Sequence, residues 1–386
     1  MTHRLYYSDA YLASFESKVA SIDGTRVTLD GSAFYPTSGG QLFDTGSLGG
    51  VRVTDVTDAE TGVVHLLEVA PQLAVGDTVK GHLDWARRFD HMQQHTGQHL
   101  LSAIFEDLIG AKTASVHFGP DYATLDVEAE SISRAEAMRV EARANQVAAE
   151  NRTVAVTFED AATAQGLRKA SDRTGLLRVV SIDGIDRSAC GGTHVHATGE
   201  IGSIVVRKLE KYKKLTRVEF LCGMRAVARA RADYETLTGL AGTLTSGIEE
   251  LPALVKSQNE AVRALESERK KLIEGLAGYR GRERYDAAVA GADGVRRISH
   301  HATGLDELRA LAGAIAALPK GAFIGTCDTP ATVMFAASDD SGINAGADLK
   351  AALATHGGRG GGNAKLAQGT APTADALRAI AKTLAG

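Results

Sequence analysis

The sequence predicts an α+β fold: a small N-terminal β-barrel, an α+β domain, a helical linker and a C-terminal α/β domain. Three observations carry this expectation. The stretch up to Asp84 alternates apolar and polar positions at period two between turn residues. After Asp84 the apolar residues switch to helical spacing and then mix with short strands. From Arg225 to Tyr279 leucines recur mostly three, four or seven apart, and beyond that point helix and strand patterns alternate. Boundaries are expected at residues 1–86, 87–224, 225–285 and 286–386.

In the first region Lys18–Ile22 and Thr25–Leu29 flank Asp23-Gly24, a hairpin signal. Val51–Val56, Val63–Leu67 and Thr78–Leu83 are further short strands, and no helix-length apolar stripe interrupts them, so a closed antiparallel barrel is expected. Phe89, Met92, Thr96, Leu100 and Ile104 then mark a helix starting near Arg87 and stopping at Gly110. Strands are expected near 113–118 and 122–128. Ser133 with Glu136 three residues on forms a capping box for a helix reaching about Asn151. More strands are expected at 153–158, 176–182, 201–208 and 215–221. In the linker, Leu237, Leu240, Leu244, Leu251, Leu254, Leu265, Leu272 and Leu276 suggest a helical hairpin or short coiled coil, broken near Gly247 or Pro252. A long amphipathic linker helix is the alternative. In the last region Leu305–Leu318 and Ala374–Leu384 read as helices, Ala322–Gly325 and Thr332–Ala337 as strands, and Gly357–Gly362 as a loop.

Composition narrows the function. The chain has 386 residues, 43 Lys and Arg against 47 Asp and Glu, and a formal net charge of −4, so nucleic-acid contact must come from a local patch. No run approaches the ~18 apolar residues of a membrane span. No apolar segment follows Met1-Thr2-His3-Arg4, so no secretory signal is expected and a cytoplasmic location is. Three cysteines, an odd number, argue against a disulfide framework.

Two segments carry metal-ligand chemistry. His95-Thr96-Gly97-Gln98-His99 puts two imidazoles at i and i+4 on one helix face. Cys190-Gly191-Gly192-Thr193-His194 puts a thiolate and an imidazole on a glycine-rich turn. Together they supply three imidazoles and one thiolate, a donor set suited to one Zn2+ per chain. His91 shares the helix face at i−4 and competes with His95 or His99 as a ligand. Cys222 and Cys327 lack a His at metal spacing and read as small buried residues. Thr96 stands where HExxH zinc proteases have their general base, which disfavours protease chemistry. A four-ligand zinc is either closed and structural or exchanges a ligand during turnover.

At this point the residues resemble a known family. His95-Thr96-Gly97-Gln98-His99-Leu100-Leu101-Ser102 with Cys190-Gly191-Gly192-Thr193-His194-Val195 resembles the editing domain of alanyl-tRNA synthetase and its free-standing AlaX-type relatives. Phe34-Tyr35-Pro36-Thr37-Ser38-Gly39-Gly40-Gln41 with Asp44-Thr45-Gly46 resembles the glycine-rich motif of the preceding barrel. Arg217–Ala226 resembles the segment that closes the editing domain. Gly357–Gly362 with Leu366-Ala367-Gln368-Gly369 resembles the DHHA1-type C-terminal domain of the same synthetases. The resemblance spans essentially the whole chain and leaves no room for an aminoacylation domain before residue 1, so a long stand-alone AlaX-type protein is expected.

The resemblance implies ATP-independent hydrolysis of mischarged tRNA(Ala), typically Ser-tRNA(Ala), with Gly-tRNA(Ala) as a further candidate. It implies His95, His99, Cys190 and His194 as the zinc ligands, with the ion either activating water or holding the substrate. Choosing serine over alanine requires a pocket that rewards a hydroxyl. Gln98, Ser115, His117 and Thr37 are the candidates, each with a packing role as its alternative. Arg207, Lys208, Lys211, Lys213, Lys214 and Arg217 fall within eleven residues against one acid, Glu210, with Tyr212 interleaved. On a hairpin they form a positive lobe for phosphates, the alternative being a solvated turn. The glycine run lacks the phosphate-loop pattern, since Asn363 follows it, so a loop bringing Arg359 close to RNA backbone is expected instead. The linker or the C-terminal domain is expected to make a homodimer. Rival readings are editing of Ser-tRNA(Thr) and a tRNA-binding protein with structural zinc. A DHH-type phosphoesterase would need an Asp-His-His motif, and His300-His301 is preceded by Ser299.

Overall fold

The first strands pair because their apolar residues alternate and their turns are chemically marked. In the computed structural model, which describes residues 2–60, 62–169 and 174–386, β1 (His3–Arg4) precedes β2 (Ser14–Asp23) and β3 (Arg26–Leu29), the hairpin turning at Gly24. There follow β4 (Gly31–Ser32), β5 (Gly46–Leu48), β6 (Val51–Ala59), β7 (Gly62–Leu67) and β8 (Thr78–Leu83). Strands β2, β3, β7, β6, β5 and β8 close into a barrel in that order. Phe15, Val19, Val27, Phe34, Leu48 and Val79 fill its interior.

Helix α1 (Trp85–Ile109) leaves the barrel with Asp84 as its N-cap and ends on Gly110 in the left-handed conformation. Next come β9 (Thr113–Phe118), β10 (Ala123–Val127) and α2 (Arg134–Ala149), the last with the Ser133–Glu136 capping box in place. Strands β11 (Val154–Asp160), β12 (Leu176–Ile182) and β13 (Asp186–Ala189) form one antiparallel sheet. Strands β14 (Ile204–Tyr212) and β15 (Leu215–Cys222) join β10 and β9 in a second, ordered β14-β15-β10-β9. From His91 to Phe105 α1 is buried all round, packed among α2, β9, β10, β13 and β15. A helix buried on every side can hold polar groups only if each finds a partner, and most of the chemistry below sits on it.

Helix α3 (Met224–Thr243) follows, and the chain divides into two compact units between Leu240 and Ala241. In the second unit α4 (Leu251–Ala287) starts just after a single 3-10 turn at Ile248–Glu250. A five-stranded sheet ordered β16-β17-β18-β20-β19 then forms from β16 (Arg296–His301), β17 (Gly321–Asp328), β18 (Ala331–Ala337), β19 (Arg359–Gly362) and β20 (Leu366–Thr370). Helices α5 (Leu305–Ala316), α6 (Ala345–His356) and α7 (Ala374–Ala385) pack on it. One expectation is corrected here. The glycine run is an edge strand rather than a loop: Arg359 pairs with Thr370 and Gly362 with Ala367. Its glycines allow this pairing, because a Cβ on Gly360 or Gly362 would fall 2.3 or 2.4 Å from the neighbouring Cα atoms. No helix among the described residues is long and apolar enough to cross a membrane.

Candidate metal centre and its cavity

Two backbone segments bring the four donors together. The i, i+4 spacing on α1 stacks His95 above His99, and the 190–194 turn beyond β13 presents Cys190 and His194. The donor atoms of His95, His99, Cys190 and His194 all lie within 4.8 Å of one another. Cys190 Sγ is 3.4 Å from His95 Nε2 and 3.3 Å from His194 Nε2. A tetrahedral Zn2+ with ordinary bond lengths places sulfur and nitrogen ligands about 3.5 Å apart, so the residues fit the ion. His91 does not join the cluster; its buried Nδ1 has no hydrogen-bond partner.

The remaining nitrogen of each imidazole is held from outside. His95 Nδ1 donates to Gln41 Oε1 at 2.9 Å, and His99 Nδ1 to Asp186 Oδ2 at 2.8 Å. His194 Nδ1 lies 3.1 Å from Thr96 Oγ1, which also accepts the Val195 amide. Such partners fix the tautomer and turn Nε2 toward a common point, as in metal sites generally. Arg168 Nε in turn donates to Asp186 Oδ1 at 2.7 Å. Arg178 Nη1 pins the turn by donating to the Cys190 and Gly192 carbonyls at 2.7 and 2.9 Å.

The charges suit a cation. Burial opposes ionisation of Cys190, yet His95 and His194 outweigh it and hold the thiol well below its ordinary range. The thiolate is the form that binds metal. Burial and the neighbouring His95 push His194 down to about 3, toward the neutral ligand form. Burial also disfavours charge on His99, but its bonds to Asp186 and Cys190 raise it to about 9. A metal ligand must be the neutral imidazole, so metal binding at His99 would be opposed by low pH.

Gly97 between the two helical ligands is required by close approach. A Cβ there would lie 2.3 Å from Cys222 Sγ and 3.3 Å from Ile201 Cγ2. Alanine gains about 1 kcal/mol of helix propensity over glycine, but overpacking a filled core costs about 1–3 kcal/mol. Cys222 is fully buried and has nowhere to move. Gly97→Ala is therefore expected to lower the melting temperature; a rise would contradict the packing described.

Three of the four donor residues, His95, His99 and Cys190, line a cavity of about 590 Å³, together with Tyr7, Tyr35, Gln98, Ser115 and Arg168 among others; His194 lies behind them, outside the lining. Gln98 Nε2 donates to Ser102 Oγ at 2.8 Å, and Thr113 Oγ1 donates to the same oxygen. Ser115 lines the wall, but its hydroxyl donates to Asp126 Oδ2, which also receives Arg217 Nη2. His117 does not line this cavity; it borders a separate depression with Tyr122, Lys208 and Arg217. Thr37 is also outside the lining, its Oγ1 accepting the Phe43 amide, whereas Ser38 and Gly39 of the same motif reach the cavity.

The basic cluster sits on the β14–β15 hairpin, as its spacing predicts, with Lys213 in the left-handed conformation at the turn. Lys208 pairs with Glu210, Arg217 with Asp126, and Arg207 with Asp233 at 3.9 Å. Lys211, Lys213 and Lys214 are exposed, as is Arg359 on β19. Sequence reasoning missed Asp186, Arg168 and Arg178, which lie outside both ligand motifs. It quoted Gln41 and Thr96 within motifs without assigning them a task.

Comparison with known proteins identifies the relatives of this chain. Residues 177–219 match the model of the threonyl and alanyl tRNA synthetase second additional domain, and residues 9–87 match class II (A) tRNA synthetases. The alanyl-tRNA editing protein AlaX-L of Pyrococcus horikoshii is 30% identical over 96% of this chain and 94% of its own length. AlaX-M of Methanosarcina mazei is 36% identical over 56% of this chain and 94% of its own. The alanine-tRNA ligase of Pyrococcus abyssi is 30% identical over 99% of this chain, which spans 44% of that enzyme. The chain thus belongs to the alanyl-tRNA editing protein family.

Proposed function

We propose that this protein is a zinc-dependent aminoacyl-tRNA deacylase that hydrolyses mischarged tRNA(Ala), chiefly Ser-tRNA(Ala), in trans in the cytoplasm. The observation that carries the reading is the convergence of His95, His99, Cys190 and His194 on one point, the first three opening onto a cavity, in a chain with alanyl-tRNA editing proteins among its relatives. An aminoacyl ester is already activated, so the site need only orient it, admit water and refuse the correct amino acid. When bound, Zn2+ supplies Lewis-acid chemistry toward a carbonyl or a water. Gln98 would choose the substrate. Its Nε2 is tied to Ser102, which leaves its amide oxygen to accept a serine hydroxyl. Alanine offers that oxygen nothing, and a site built for a hydroxyl discriminates strongly on this basis.

Lys211, Lys213 and Lys214 would track tRNA phosphates at the hairpin tip, with Lys208, Arg217 and Arg359 as further contacts. The apolar positions Val255, Val262, Leu265, Leu272 and Leu276 of α4 are 46–66% exposed, and this seam would pair two copies in the expected homodimer. Editing of Ser-tRNA(Thr) stays as a second reading, because the matching domain model is shared by threonyl and alanyl synthetases.

The test is hydrolysis of Ser-tRNA(Ala), Ala-tRNA(Ala) and Ser-tRNA(Thr), with metal content measured on the same sample. Rapid loss of Ser-tRNA(Ala) alone is expected, with about one zinc per chain. Inertness of a zinc-loaded sample toward all three would sink the proposal and favour tRNA binding with a structural metal.

A further inference from the structure

The glycine-rich segment of the barrel reaches into the metal cluster through one side chain. Gln41 is 1% exposed. Its Oε1 accepts His95 Nδ1 at 2.9 Å and the Thr193 amide at 3.1 Å. Its Nε2 donates to Thr193 Oγ1 at 2.8 Å. His95 lies on α1 and Thr193 lies in the 190–194 turn, so this one amide bridges both ligand-bearing segments. Packing leaves no slack: a Cβ on Gly192 would fall 2.1 Å from His95 Cε1 and 3.0 Å from Gln41 Oε1.

Gln41 is itself held in place. Its backbone N–H donates to Ser38 O at 2.9 Å and its backbone carbonyl accepts the Ser38 N–H at 3.0 Å. This tight turn has Gly39 at φ +56° and Gly40 at φ +87°, which glycine adopts at little cost. Three residues on, Asp44 accepts the Tyr35 amide at 2.7 Å and pairs with fully buried Arg88 of α1. The segment is thus clamped at both ends before Gln41 meets the cluster.

We infer that Gln41 is a positioning residue of the metal centre. It directs the Nδ1 proton of His95 to an amide oxygen, which leaves Nε2 as the ligand atom, and it sets the 190–194 turn against α1. The barrel therefore completes the centre. The inference rests on the reading of the four donors as a metal site. Outer partners of this kind typically matter by about 10–100-fold in metal affinity or activity.

The experiment compares the full chain with Gln41→Met, which keeps the length and removes both polar atoms, and with Gln41→Glu, which keeps the acceptor. Zn2+ affinity is read by competition with a chromophoric chelator, and ligand geometry by the visible spectrum of the Co2+-loaded protein. Gln41→Met is expected to bind Zn2+ about 10–100-fold more weakly with an altered Co2+ spectrum, while Gln41→Glu stays close to the parent. In deacylation the loss should fall on kcat, with KM kept. A folded Gln41→Met that binds Zn2+ as the parent does, with the same Co2+ spectrum, overturns the inference. Should Gln41→Met not fold, Gln41→Leu likewise removes the acceptor of His95 Nδ1 and of the Thr193 amide, and unchanged Zn2+ affinity with the parent Co2+ spectrum there overturns it equally. A parent chain that takes up neither ion overturns the metal reading and the inference with it, so the two failures are distinct.

Discussion

Cys190→Ala is expected to lower kcat/KM for Ser-tRNA(Ala) by more than the about 10–100-fold typical of outer partners, because it removes a ligand itself. Cys190 is the one thiolate of the cluster, and His95 and His194 both face its sulfur at 3.3–3.4 Å. Without it three imidazoles remain, a weaker set for Zn2+ with an altered charge. The exposed lysines of the hairpin are untouched, so tRNA affinity should be kept. Single-turnover deacylation and filter binding on the same preparation separate the two effects. Full activity of a folded Cys190→Ala protein would remove the metal from the chemistry and restore the tRNA-binding reading.

The second large effect concerns stability. Arg88 and Asp44 form an ion pair with no exposed side-chain surface on either residue. Arg88 Nε lies 3.2 and 3.1 Å from the two Asp44 oxygens, and Nη1 donates to the Ala10 carbonyl at 2.7 Å. Breaking a buried pair by removing one partner typically costs about 3–5 kcal/mol, since a charge is left without compensation. Arg88→Met should therefore destabilise the first unit by about that amount, read as a lower urea midpoint. The double change Arg88→Met with Asp44→Leu should recover only part of the loss: it removes the stranded carboxylate, but the Tyr35 amide and the Ala10 carbonyl lose their partners. A single variant as stable as the parent would contradict the clamp described for the glycine-rich segment.

What was legible in the sequence was local. The Asp23-Gly24 turn, the Ser133 capping box and the Gly110 stop each depend on a few adjacent residues, and each is found where expected. The ligand pairs were legible for the same reason, since i, i+4 on a helix and CxxxH on a turn are short-range patterns. Their partners were not. Asp186 and Gln41 reach their imidazoles across 87 and 54 residues, and only docking of β13 and the barrel against α1 brings them there. Strand β19 was hidden because glycine carries no side chain and so no periodicity; its pairing with β20 defines it. Helix α6 was overlooked in an alanine-rich stretch with a weak apolar stripe, although Asn344 marks its cap. His117 illustrates the opposite hazard. It lies two residues from Ser115 on the same strand, yet the cavity takes in only the latter.

The most direct test of the metal-dependent account is reconstitution. The protein is stripped with a chelator, its zinc content checked by mass spectrometry, and Zn2+ titrated back while Ser-tRNA(Ala) hydrolysis is followed. The account predicts loss of activity on stripping and linear recovery that saturates near one equivalent per chain. Hydrolysis at the full rate by verified metal-free protein would contradict it.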